Sequence, residues 1–469
     1  MERQILYLLM IIFLYLNSPI AFSQKYMTLQ ECIDLGLKNN MDVKNANYQK
    51  QGAKIAVNQA QLALIPEFGF SINGGLATGR SINPYTNSFV NQNLTFSNAS
   101  AQLNVPIYNG LKLKSAIEKS KLDEAMNNWQ AASVAQKLVT DIILAYSNVL
   151  NGELQKEVLQ KRMVETKRQL DRFIVMENQG VGSQSDVQNF KGQYAADQIS
   201  IVNMENQIAV NVNVLKSLIN TTEDIQIIRG DSEISPLLLE DSEILSKAIE
   251  GAPSIRAAEY AVSSSVAQLK VVKADFYPTI SLFGQLNSNF SSAAERFIET
   301  GTEERSTGDY VNFNSQRIPV LTTSTTFRNE VIDFASQINN NLNSAVGLSV
   351  FIPISSIFST KNRVSFQKNL IDQARSQYEA SQISMNNVVS NVLINYKTQF
   401  KSIALYETQL AAFTEAYRIE EVKYNNGVTN FASFIAAKNN MDNTSLNLVN
   451  AKIQTAFWYK VLDVYLQKK

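Results

Sequence analysis

The sequence predicts a mainly α-helical chain that also carries membrane β-structure and is built from two copies of one unit. Three observations predict it. Two constant offsets map the first half onto the second, two stretches of about seventy residues are nearly free of helix breakers, and four segments of about ten residues alternate apolar with polar side chains.

Composition narrows the functional classes. The chain has 469 residues but only 9 prolines and 18 glycines, so long uninterrupted elements are implied. Lys+Arg and Asp+Glu are equal at 42 each, leaving no basic excess to displace counterions from nucleic acid, and no nucleic-acid partner is expected. There is no histidine, which removes the commonest general base and the commonest metal ligand together. The single cysteine, Cys32, can form neither an intramolecular disulfide nor a thiolate cluster; in the amphipathic pattern Leu29, Cys32, Ile33, Leu37 it reads as a small core residue. Carboxylate pairs such as Glu420 with Glu421 or Glu303 with Glu304 are sequence neighbours and do not face one another. No phosphate-cradling glycine motif occurs. No catalytic residue, cofactor or metal is therefore expected, and an enzyme is disfavoured.

The N-terminus comes first in chain order. Ile5 to Leu16 form a mostly aliphatic run after Arg3, followed by the small-x-small exit Ala21, Phe22, Ser23, so residues 1–23 read as a cleaved secretory signal and Gln24 as the mature start. The run is shorter than the roughly 18 apolar residues of a membrane anchor. Any membrane insertion by the mature chain would then use β-structure, the other spanning form that satisfies all backbone polar groups.

The repeat follows. At an offset of 212, Ala46 and Tyr48 recur as Ala258 and Tyr260, and Pro66 as Pro278. At an offset of 247, Val105, Pro106, Ile107 recur as Ile352, Pro353, Ile354, while Asn178, Gly180, Val181 recur as Asn425, Gly427, Val428. The growth in offset places a 35-residue insertion in the second copy, within about 291–341, and its Thr, Ser, Asn and charged residues suit a solvent-exposed extracellular loop. The expected layout is a first repeat over 24–220, an equatorial connector over 221–243 and a second repeat over 244–469.

Each repeat reads as helix, two strands, then a long helical hairpin. Leu111 to Glu177 contains no proline and one glycine, Gly152, and Ile354 to Asn426 contains neither. At about 1.5 Å per residue such helices approach roughly 100 Å. A seam of Leu138, Ile142, Ala145, Val149, Leu159, Met163, Leu170 and Phe173 predicts coiled-coil-like packing, weakened by Gly152 and Lys156. Breaks at 178–183 and 425–430 precede shorter return helices, from Ser185 to about Asn220 and from Phe431 to about Gln467. The strands are marked by Phe68, Phe70, Ile72, Leu76; by Ala99, Ala101, Leu103, Val105, Ile107; by Ile280, Leu282, Leu286, with Phe283 breaking the polar face; and by Val346, Leu348, Val350, Ile352. About ten residues suffice to cross a bilayer when tilted, although a soluble sandwich with one buried face shares the pattern. Four strands cannot close a barrel, so a membrane barrel would be shared: two chains give eight strands and a filled interior, three give about twelve and an aqueous lumen.

This layout, with Asp186, Val187, Gln188, Asn189, Gln193 and Tyr194 beyond Gly180, resembles the TolC family of outer-membrane channel proteins over nearly all of the mature chain. The resemblance implies a homotrimer whose four strands per chain form a shared 12-stranded barrel in the lipid of the outer membrane, with a long α-helical tunnel through the periplasm. It implies docking onto a periplasmic adaptor and an inner-membrane transporter, for efflux of small molecules or type I protein secretion. By the same resemblance Gly180, Val181, Gly427 and Val428 are the adaptor-docking tips, and Asp186 and Tyr424 belong to the network that closes the entrance. Thr429 stands where a basic partner is expected, and Ser433 and Ala436 where some relatives carry aspartates, so Glu177 and Glu421 join Asp186 as the sources of any entrance field. The rival class is a soluble periplasmic coiled-coil protein without channel activity, which needs no strands.

Overall fold

The structure, a computed structural model, describes residues 25–82, 87–91, 93–228 and 240–466. The signal segment and residues 229–239 of the connector lie outside the described residues. The first run of elements is β1 (Lys25–Met27), α1 (Leu29–Asn39), α2 (Met41–Leu62), β2 (Glu67–Ala77), β3 (Arg80–Ile82), β4 (Phe89–Asn91), β5 (Leu94–Tyr108), α3 (Lys112–Asn178) and α4 (Gln184–Ile219). After β6 (Ile225–Ile227) the order returns: α5 (Asp241–Gly251), α6 (Pro253–Lys273), β7 (Thr279–Ser291), β8 (Glu295–Phe313), β9 (Gln316–Val331), α7 (Phe334–Asn340), β10 (Asn343–Phe351), α8 (Ile357–Asn425) and α9 (Phe431–Leu466). The α3 and α8 helices have 67 and 69 residues, about 100 Å each at the standard rise. Among the described residues no helix is long and apolar enough to cross a membrane.

Two compact units share the chain, and neither coincides with a repeat. One comprises residues up to Ile55, Ser120–Ser265 and Leu370–Lys469. It is helical, apart from the short parallel pair β1 and β6. Its α1 starts with a capping box, in which Glu31 N donates to Thr28 Oγ1 at 3.3 Å and Thr28 N donates to Glu31 Oε2 at 2.7 Å. The seam residues Leu138, Ile142, Ala145, Val149, Leu159, Leu170 and Phe173 are all buried. Cys32, Ile142, Leu215 and Ile219 share one core cluster, so the cysteine is the small core residue its pattern suggested. A second cluster joins Ile143 and Ile244 to Val389 and Tyr396 of α8 and to Phe457 and Val461 of α9.

The other unit, Ala56–Lys119 and Val266–Asn369, holds the antiparallel sheet β10-β7-β5-β2. The central β5 to β7 pairing joins the two repeats in one sheet. Its register decides the chemistry of each face. Phe68 pairs with Leu103, Phe70 and Leu286 with Ala101, and Leu348 and Val105 with Leu282, so the apolar sets of all four strands fall on one side. Ser71, Ser100, Gln102, Gln285, Asn287 and Ser349 fall on the other, where Ser71 Oγ and Ser100 Oγ hydrogen-bond at 2.7 Å. Phe283, which with Phe96 and Phe351 interrupts the polar face, lies over Gly347 of its neighbour strand, where a Cβ would come within 2.9 Å of the ring. The apolar side is bare, with Phe68 70% and Val346 78% exposed. The outer edges of β2 and β10 pair with no further strand among the described residues.

The insertion is exposed, as expected, but it is not an irregular loop. Residues 295–331 form the β8–β9 hairpin, and α7 follows. Thr, Val and Phe along both arms, with Tyr310 in β8, favour extended backbone, which outweighs the polar composition read as a loop. The fully buried Gln337 of α7 donates to Ser291 O at 3.0 Å and Ile332 O at 2.7 Å, and accepts from Ser291 N at 2.9 Å, fastening the base of the insertion to the end of β7.

Candidate functional site

The hairpin ends share one glycine-valine turn. Gly180 and Gly427 sit at φ +74° and +70°, the left-handed region that glycine occupies without a Cβ penalty. The amide of Val181 reaches back to Met176 O at 3.1 Å, and that of Val428 to Lys423 O at 2.8 Å, the closing bond of a Schellman cap. Both valines project outward, 71% and 73% exposed. Each tip therefore presents one apolar side chain on a hydrogen-bonded turn.

Directly behind the tips, six aromatic rings from all four helices interlock. Phe173 of α3 stacks on Phe190 of α4 with centroids 5.0 Å apart, and Tyr424 of α8 stacks on Phe434 of α9 at 5.0 Å. Phe173 meets Tyr424 at 5.3 Å and Phe190 meets Phe431 edge-on at 5.0 Å, so the rings bridge the two hairpins. Tyr417 completes the set against Phe434 at 5.6 Å. Phe190 and Phe434 are fully buried. Tyr424 is thus first a core residue. Burial, then the nearby charge of Asp186 and a loose side-chain contact with that carboxylate, push its phenol well above the usual range. Asp186 lies half-buried in the first turn of α4, where the helix dipole favours a carboxylate.

Of the acidic residues expected at the entrance, Glu421 has partners on the other hairpin. It accepts from Gln169 Nε2 at 2.9 Å and pairs with Arg168 at 3.5 Å, both on α3. Arg172 Nη1 donates to Asn425 Oδ1 at 2.7 Å nearby. The cations of this contact come from the first hairpin, not from position 429 of the second. Glu177 forms no ion pair among the described residues, and its carbonyl accepts from the Gly180 amide at 2.9 Å.

Farther from the tips, Arg162 of α3 and Asp197 of α4 pair at 2.7 Å, and Lys438 and Asp442 of α9 pair at 2.8 Å. Thr166 Oγ1 and Gln193 Nε2 also donate to Asp197, at 2.6 and 3.0 Å. Arg162 Nε lies 3.7 Å from Asp442, joining the pairs across the hairpins. Sequence reading missed this cluster and Arg168, Gln169 and Arg172. Charged residues at polar-looking seam positions were their only local sign, and that sign does not tell a buried partner from a solvated face. A cavity of about 830 Å³ lies elsewhere in this unit, between α1, α3 and α9, and no tip or entrance residue lines it. No metal-holding cluster occurs among the described residues.

The geometry can be set beside known proteins. A family model described as outer membrane efflux protein matches residues 32–221 and 244–457. No curated sequence matches the chain significantly. CusC, solved in a study of conformational changes accompanying folding and transmembrane channel formation, is similar with a TM-score of 0.74 at 15% identity, over 93% of this chain and 90% of its own. The outer membrane protein VceC of Vibrio cholerae gives 0.72 at 14% identity, over 93% and 94%. The CmeC outer membrane channel of Campylobacter jejuni gives 0.73 at 16% identity, over 93% and 85%. At these identities the structural matches establish a TolC-like fold.

Proposed function

Because the chain belongs to the outer membrane efflux protein family, we propose that three copies form a passive channel of the outer membrane, with a shared barrel and a helical tunnel reaching into the periplasm. The carrying observation is the four-stranded sheet. One face is apolar and bare, the other is mostly Ser, Asn and Gln, and neither outer edge pairs with a further strand among the described residues. A water-soluble domain would bury the apolar face, and lipid does not tolerate the open edges. Both problems vanish when copies join edge to edge with the apolar face in lipid. Three copies supply about twelve strands, enough for a polar lumen. The bare face argues against a soluble coiled-coil rod.

In this reading residues 1–23 direct export and the β8–β9 hairpin lies on the extracellular side. Gly180, Val181, Gly427 and Val428 meet a periplasmic adaptor that recruits an inner-membrane transporter, and Asp186, Tyr424, Glu177 and Glu421 line the entrance. The channel supplies no energy; the adaptor shifts the tips from a closed to an open packing. The chain serves small-molecule efflux or type I secretion through the same duct. The test is extraction of mature protein from envelopes, sizing, and planar-bilayer recording. Detergent-dependent extraction, a trimer and discrete conductance steps are expected. A lipid-free monomer in the aqueous extract would refute the channel.

A further inference from the structure

We propose that the β8–β9 hairpins of three chains join edge to edge, β8 of one chain against β9 of the next, as a six-stranded collar over the outer mouth of the barrel. The inference rests on the channel reading above. No side chain of either arm is buried, so the hairpin is bare on both faces. A two-stranded hairpin standing alone in water is marginally stable at best, and the outer edges of β8 and β9 pair with no further strand among the described residues. A trimer places three such hairpins around one axis. The two arms are antiparallel within a chain, so β8 of one chain beside β9 of the next continues an antiparallel ladder, and three copies close it with no edge left. Charge decides which edges meet. β8 carries five acidic and two basic residues, a net charge of −3, whereas β9 carries two basic and one acidic, a net charge of +1. Two β8 edges therefore repel, while β8 and β9 attract, which favours the closed ring over open pairing of like edges. Within the hairpin Arg296 pairs with Glu330 at 3.0 Å, but Glu299, Glu303, Glu304, Arg317 and Arg328 form no ion pair among the described residues. These charges are left to a neighbour. Six strands are fewer than the roughly eight whose interior side chains just fill, so the collar is narrower than the barrel beneath it.

The test uses the full-length protein in intact cells. Thr302 and Thr325 are exposed and face each other within one hairpin, away from Pro319, whose missing N–H breaks the ladder near the tip. Thr302→Cys and Thr325→Cys are therefore placed in separate chains that are produced together, with each chain alone as the blank. A short flexible bismaleimide then reports contacts between chains; the native Cys32 is fully buried and does not compete. Strands of a collar lie about 5 Å apart, so a chain dimer on a denaturing gel is expected. No dimer, although each cysteine takes a monomaleimide, overturns the collar, as does a crosslink to any other protein. In the second arm Glu299→Lys/Glu303→Lys/Glu304→Lys in both chains should cut the dimer at least fivefold, and adding Arg317→Glu/Arg328→Glu should restore it. An unchanged dimer overturns the charge-set pairing. The third arm reads the mouth from outside. Asn98 lies on the polar face of the sheet, near the end of β5 that adjoins the insertion. A bulky polyethylene-glycol maleimide should label Asn98→Cys at least fivefold faster in the chain with the three lysines than in the otherwise native one, and equal rates overturn the narrowing. Chains that size as monomers in detergent would count against the channel itself, whereas trimers that give no dimer band count against the collar alone.

Discussion

Phe190→Ala is the sharpest probe of the tip core. The ring is fully buried and lies within 5.0 Å of Phe173 and Phe431, 6.0 Å of Phe434 and 6.3 Å of Tyr424, measured between centroids. Truncating a buried aromatic costs about 3 to 5 kcal/mol, the lost transfer energy plus the cavity left behind. The cluster draws on the last turns of α3 and α8 and the first turns of α4 and α9, next to exposed turns, so the loss falls on local opening of the tips and not on the distant sheet. At about 1.36 kcal/mol per decade, amide exchange of Val187 to Gln193 and Tyr424 to Ile435 should accelerate by about two to four decades. Hydrogen exchange of trimers in detergent reads this directly, with the paired amides of β5 and β7 as the internal reference. Phe190→Leu keeps an apolar side chain in the slot and should move exchange by no more than about one decade. Tip amides unchanged in Phe190→Ala, or acceleration spread evenly into the β5 to β7 ladder, would refute the view that the rings form a local cooperative core.

Three further outcomes follow from the same geometry. Asp186→Ala should raise the conductance of reconstituted trimers by removing a carboxylate from the entrance, and equal conductance would take Asp186 out of the gate. At Gly180, Asn tolerates the left-handed backbone better than other side chains, so Gly180→Asn should retain export while Gly180→Asp, adding charge to the same turn, should abolish it with trimers intact; equal export by both would exclude the turn from docking. Burial, then the nearby Glu31 charge, pushes the Cys32 thiol up to about 11. The folded chain therefore keeps the proton after the unfolded chain has lost it, and this contribution to stability fades as pH rises from about 9 towards 11. Maleimide labelling of Cys32 at pH 8 should consequently require unfolding, and rapid labelling of native trimers would contradict the buried position.

Much of the fold was legible because it rests on local periodicity. Breaker-free stretches and a 3.6-residue apolar period mark α3 and α8, and Asn-x-Gly-Val marks both turns, since glycine relieves a left-handed backbone wherever it occurs. Alternation located β2, β5, β7 and β10. The insertion misled because composition reports solvent exposure, and exposure does not separate an irregular loop from the two-stranded β8–β9 hairpin. Of the residues expected at the entrance, Glu421 has partners on the other hairpin. Tyr424, expected beside Asp186, also lies among aromatic rings, and seam spacing does not reveal which rings from three other helices converge on it.

By itself, then, the sequence determined where helices and strands run, where they turn, and that one side of each strand is apolar, since these follow from side-chain spacing along one backbone. Tertiary structure alone decided that β5 pairs with β7 across the repeats, that four apolar faces coincide in one bare sheet, and that Arg162, Asp197, Lys438 and Asp442 meet in the interior. Pairing register and desolvation are properties of segments some thirty to nearly three hundred residues apart, and no local pattern carries them.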